Sequence, residues 1–223
     1  LRLVGSEMCI RDRFERIVAE YRPVEPARFV IDTPDKENAM LFARVDLPAN
    51  LSDADMPALI TADWIIGGSD GLSNRIVNRL RQKEGLSYGS GSNITLPSFG
   101  NRAKWSVGAI VAPQNLAQAE KSLKDELARA YRDGITEAEL AEAKRGIIGS
   151  RAVNRAQDGM VASNWVNNLE TGRTWQFSKE TEAAIEALTV EDVNKALRRF
   201  CDVSKLTLSL IHISEPTRRS YIS

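Results

Sequence analysis

Apolar residues recur along this chain at two periods, and each change of period marks an element. Arg28–Asp32 (RFVID) and Ala39–Leu47 (AMLFARVDL) read as two strands, separated by the polar turn TPDKEN and closed by Pro48. A helix is predicted from Asp53 to about Ile66, with Ser52 as N-cap and Met56, Leu59, Ile60 and Trp64 facing inward. Leu72, Ile76 and Leu80 then recur at i, i+4 and i+8, the stripe of a second helix, and Gly85 suits the left-handed position that ends it. Beyond it Leu86 and Tyr88 alternate with Ser87 and Gly89, the period of a strand. That helix-turn-strand places Arg81, on the last helical turn, near the start of the strand that carries Tyr88.

Two strands follow at about 87–96 and 102–111, joined by the loop PSFGN. The rest reads mostly as helix. Leu116, Leu123, Leu127 and Tyr131 mark an amphipathic helix that ends near Gly134, and Thr136 with Glu139 forms a capping box for the next, which turns Leu140, Ile147 and Ile148 inward. Helices over 159–169 and 178–187 precede one from Val190 to Phe200, capped by Thr189, and a strand over 205–208. The order predicts an α+β fold: a mostly antiparallel sheet with helices layered on one face.

The two ends stand apart from this pattern. Glu7–Arg13 (EMCIRDR) can be encoded by GAG ATG TGT ATA AGA GAC AGN, and the reverse complement of its shared portion, CTG TCT CTT ATA CAC ATC T, encodes Leu208–Ile213. Inverted-repeat DNA at both ends of one reading frame is the mark of translated sequencing adapter, to be set aside like a fusion scar. The expected division is therefore a foreign flank over 1–13, a helix (Phe14–Tyr21) and Pro-rich linker from an upstream domain over 14–27, the domain proper over 28–207, and a second foreign flank over 208–223.

This division changes the chemistry the chain can do. Its single histidine, His212, and one of its two cysteines, Cys9, both fall in the flanks. Without histidine the remaining chain has no histidine-dependent triad, His-x-x-Glu-His zinc site or histidine base. Cys201 cannot form an intramolecular disulfide and reads as a small core residue. The flanks hold five basic and three acidic residues, so removing them takes a formal charge of zero to about minus two. That balance argues against a nucleic-acid partner, and no apolar run is long enough to span a bilayer. GGSDG (Gly67–Gly71) lacks the Gly-Lys-Ser/Thr of a phosphate loop and reads as a helix-to-helix turn; Glu137, Glu139 and Glu142 read as a solvated first turn favoured by the helix dipole.

The stretch ALITADWIIGGSDGLSNRIVNRLRQKEGLSYGSGS resembles the non-catalytic C-terminal domain of the pitrilysin/insulinase-type zinc metallopeptidases, which include the mitochondrial processing peptidases. DTPDKENAMLFARVDLP resembles the family's opening strand pair, and APQNLAQAEKSLKDELARAYRDGITEAELAEAKRGIIGSRA its following helices. The family's zinc motif is absent. What the resemblance implies is a substrate-binding half without catalytic or metal-ligating residues of its own, acting on peptide opposite a zinc-bearing half that lies upstream on the same polypeptide or on a separate subunit. The zinc cofactor would reside in that partner half. In this family the second half supplies an arginine and a tyrosine in the pattern R-x6-Y, which Arg81 and Tyr88 match. A structural or peptide-binding subunit, with no active half beside it, is the alternative. Export of many bacterial members inclines the location toward the periplasm.

Overall fold

The computed structural model describes residues 16–33, 37–68 and 73–212. Among these residues five strands form one sheet in the order β1-β5-β2-β4-β3, where β1 is Arg28–Asp32, β2 Ala39–Pro48, β3 Ser87–Thr95, β4 Arg102–Val111 and β5 Thr207–His212. Only β1 and β5 run parallel; β5 with β2, β2 with β4 and β4 with β3 are antiparallel. Among the described residues seven α-helices accompany them: α1 Met56–Asp63, α2 Arg75–Val77, α3 Leu116–Asp133, α4 Glu137–Arg155, α5 Asp158–Thr171, α6 Trp175–Ala187 and α7 Val190–Phe200. π-helical turns extend α1 over Trp64–Gly68 and α2 over Asn78–Lys83. The predicted α+β architecture is thus the observed one.

Alternation along β2 and β4 decides which face the helices cover. Ala39, Leu41, Ala43, Ala103, Trp105, Val107, Ala109 and Val111 are buried against helices, with Leu59, Ile76, Leu80, Leu123, Leu127, Val193 and Leu197 in the same core. Their neighbours Met40, Phe42 and Ile110 lie on the opposite face and remain substantially exposed, as do Phe29 and Ile31 of β1. An antiparallel sheet commonly leaves one face to solvent, but such a face is usually polar.

Several local expectations are corrected. β1 and β2 do not form a hairpin with each other, because β5 enters between them and bonds to both. A turn gives proximity, but the slot between them goes to the strand that can bury Leu208 and Leu210. β5 spans Thr207–His212, starting later and running further than the strand expected over 205–208. The slot asks only for an alternating apolar strand, and Leu-Ser-Leu-Ile meets that demand whatever DNA encoded it. Residues 213–223 and 1–15 lie outside the described residues. The helix expected over 14–21 is not formed from residue 16 onward; Ile17 is almost fully exposed there, so no packing stabilises a helix too short to persist alone. α1 starts with Asp55, not Ser52, at its N-cap, with Pro57 in the first turn.

Candidate functional site

The corner that carries Arg81 and Tyr88 is fixed from both sides. Asn74 caps α2 by accepting from the Val77 amide at 2.9 Å, and Ile76 and Leu80 are fully buried, as the apolar stripe predicts; Leu72 lies outside the described residues. Arg75 clamps Glu139 through Nε and Nη2 at 2.6 and 2.7 Å and donates to the Gly134 carbonyl at 2.8 Å. This bidentate pair ties the start of α2 to the capping box of α4. Burial pushes the Glu139 carboxyl up, but the bonds from Arg75 and Thr136 more than offset it and hold it below its ordinary value. The acidic turn is accordingly a structural joint at Glu139, with Glu137 and Glu142 exposed.

The helix then widens into its π turn, a form that recurs at functional sites. Glu84 closes it by pairing with Arg79 and accepting from Ser122 Oγ of α3 at 2.6 Å. Gly85 has φ of 61°, the left-handed value its position requires, and the Leu86 amide reaches back to the Leu80 carbonyl at 2.7 Å. That bond is one residue longer than the usual glycine-terminated closure, as a widened turn demands. It also brings the helix end that bears Arg81 against the strand start that bears Tyr88.

Tyr88 owes its placement to a β-bulge. Ser87 pairs with Val111 and Gly89 with Ile110, leaving Tyr88 as the extra residue. The Ser87 hydroxyl lies 2.9 Å from the carbonyl oxygens of both Gly89 and Ile110, bridging the irregularity. Bulges of this kind re-aim a side chain, and Tyr88 is 85% exposed. Arg81 is exposed as well, and among the described residues neither side chain has a hydrogen-bond or ion-pair partner. Two donors are thus free at one corner.

Further along β3 lies a buried carboxylate that no local pattern singled out. Asp63, at the end of α1, is buried; its Oδ1 accepts from Ser92 Oγ at 2.5 Å and Trp105 Nε1 at 2.9 Å, and its Oδ2 from the Ile94 amide at 3.2 Å. Burial pushes its carboxyl up, and the three hydrogen bonds only partly counter that. The signal was available: Asp63 follows Met56, Leu59 and Ile60 on the same helical stripe. Nearby Cys201 is buried, its thiol pushed up by desolvation and then by the Asp63 charge, which suits a core residue and not a nucleophile. Gly67, in the π turn after α1, packs directly on β3, and Gly91 meets it there; a Cβ on either would fall within 2.8 Å of backbone atoms. Gly67 and Gly68 therefore serve close packing, while the remainder of GGSDG lies outside the described residues.

Among the described residues no cluster of three or more His, Cys, Asp or Glu could hold a metal, so the residues present do not fit a zinc site. No helix among them is long and apolar enough to cross a membrane.

Residues 11–147 match the sequence family described as the peptidase M16 inactive domain. An uncharacterized zinc protease of Mycobacterium tuberculosis is 30% identical over 146 residues, which make up 60% of this chain and 32% of that protein. The chain therefore spans about a third of the length of the curated relatives it matches. Among solved structures, the M16 inactive domain from Pseudomonas fluorescens superposes with a TM-score of 0.80 at 21% identity, over 90% of this chain and 46% of that one. The inactive peptidase domain of a zinc protease from Bordetella parapertussis gives 0.67 at 19% identity, over 81% of this chain and 95% of that one.

Proposed function

Because the chain belongs to the peptidase M16 inactive-domain family, we propose that it is the substrate-binding half of a zinc-dependent peptidase, acting on unfolded peptide opposite a catalytic half that holds the zinc. The observation that carries this reading is the pair Arg81 and Tyr88: exposed, without partners among the described residues, and set by a π turn and a bulge at one corner. A guanidinium and a phenol held there donate to a substrate carbonyl, and to the oxyanion that forms when that carbonyl is attacked. The protein supplies position and hydrogen bonds; the metal-activated water belongs to the other half.

The test is single-turnover cleavage of an unfolded peptide by the protein joined to its zinc-bearing half. Arg81→Ala and Tyr88→Phe should each slow the chemical step by about 100- to 1,000-fold, as expected when one oxyanion donor is removed. The chain alone should be inactive. Unchanged rates in both variants, or the lack of a His-x-x-Glu-His half in any partner, would defeat the proposal.

A further inference from the structure

Arg79 and Glu84 are joined twice across the π turn that carries Arg81. The Glu84 amide donates to the Arg79 carbonyl at 3.3 Å, the bond between residues five apart that defines a widened turn. The same two residues meet through their side chains, with Glu84 Oε1 2.5 Å from Arg79 Nε. The contact is a charge pair and not an aligned hydrogen bond, since the buried Nε has no hydrogen-bond partner in good geometry among the described residues. In an α-helix, residues five apart stand about 140° from each other around the axis, on different faces. A repeat of five brings them into line, one turn above the other, so this pair closes where the turn is wide and is pulled apart where it narrows. The carboxylate is also held from outside the helix. Ser122 of α3 is fully buried; its hydroxyl donates to Glu84 Oε2 at 2.6 Å and accepts from Gln118 Nε2 at 3.2 Å. Ser122 thus fixes Glu84 to the neighbouring helix, and Glu84 in turn holds the residue five places before it.

Resting on the oxyanion-donor reading above, we propose that Glu84 is the positioning residue for Arg81: its carboxylate, anchored by Ser122 and paired with Arg79, keeps the segment Asn78–Lys83 in the π form and so sets the direction in which the Arg81 guanidinium leaves the helix. Arg81 lies inside that turn and has no partner of its own among the described residues, so its direction follows the backbone. Narrowing to an α turn moves the residue-84 amide from the Arg79 carbonyl to that of Leu80 and swings Arg81 about the axis, while Tyr88 stays on its bulge against β4. The two donors then no longer converge. A π turn is the rarer form and persists where something closes it. The rival support is the backbone itself, since the Leu86 amide already occupies the Leu80 carbonyl at 2.7 Å; if that bond suffices, the carboxylate is dispensable.

The test has two readouts. Crystal structures of this chain carrying Glu84→Ala, and separately Arg79→Met, each remove one side of the pair and leave the backbone intact; both should show the turn narrowed, with the residue-84 amide on the Leu80 carbonyl. In the complete protein, joined to its zinc-bearing half, single-turnover cleavage at saturating peptide should slow about ten- to 100-fold in both variants, the scale for a misplaced group and below the loss expected for Arg81→Ala. A substitution that acts through Arg81 has nothing left to misplace once Arg81 is gone, so Glu84→Ala should add less than about twofold to the Arg81→Ala defect. A π turn retained in both variants would overturn the proposal and assign the widened form to the Leu86 closure. So would slowing by the same factor with and without Arg81, the mark of a general loss of packing, or a normal rate in both variants beside a slow Arg81→Ala. A normal rate in Arg81→Ala itself would defeat the oxyanion-donor reading instead, and the two crystal structures would still decide whether Glu84 holds the turn.

Discussion

Asp63 has three donors, no ion-pair partner among the described residues and almost no water. Asp63→Ala would leave the Trp105 indole N–H, the Ser92 hydroxyl and the Ile94 amide without their acceptor, and should cost about 2–4 kcal/mol in urea denaturation. Its pH dependence has a definite sign. The folded carboxyl is raised, so its stabilising contribution is complete below the unfolded value of about 3.9 and is lost as pH climbs through the folded one. Asp63→Asn, which cannot ionise, should therefore show a flatter fall in stability over the range just above pH 4. Residues differed in how far they could be read beforehand. Gly85, Thr136 and Thr189 announced themselves because each has a local partner within a few positions. The Asp63 network reaches 29 to 42 positions along the chain, and no local pattern encodes such distances. Arg81 and Tyr88 were legible as a spacing, but the bulge that frees Tyr88 depends on pairing with β4.

At the scale of elements, helix periods and strand alternation translated into the observed pieces within a few residues, whereas the pairing of strands did not. β1 is an edge strand held partly from outside the sheet: its Arg28 meets Glu120 of α3 at 2.9 Å, and Lys124 meets the same carboxylate at 2.7 Å. The hydrogen bond from Arg28, with Lys124 beside it, lowers the Glu120 carboxyl to about 2. The sign is opposite to that of Asp63: this contribution is full above the unfolded Glu value of about 4.3 and is lost as pH falls toward about 2. Glu120→Gln should lower stability at pH 7 by about 1 kcal/mol, since Arg28 is half exposed and solvent screens the pair, and the deficit should vanish near pH 2. Hydrogen exchange of the β1 amides should quicken in the same variant. The joint between the first π turn and β3 is tighter. Gly67→Ala places a methyl 2.6 Å from the Ser92 amide nitrogen, where backbone has to move, so a loss of about 1–3 kcal/mol is expected from the denaturation midpoint.

Across the whole molecule, the sheet is finished on one side only. Helices cover Leu41, which is fully buried, while Phe42 beside it is 40% exposed on the face that also shows Met40, Ile110, Phe29 and Ile31. A stability measurement can separate what the closed layer and the open layer each contribute to folding. Leu41→Ala should cost about 2–5 kcal/mol, the range for a buried leucine replaced in a packed core. Phe42→Ala should cost less, because its ring is only partly buried and its removal opens no closed core cavity. Its effect should appear instead in reduced self-association of the chain at high concentration. Equal costs for the two substitutions would mean that the open face is packed as part of the domain, and the division between a core layer and an open layer would fail.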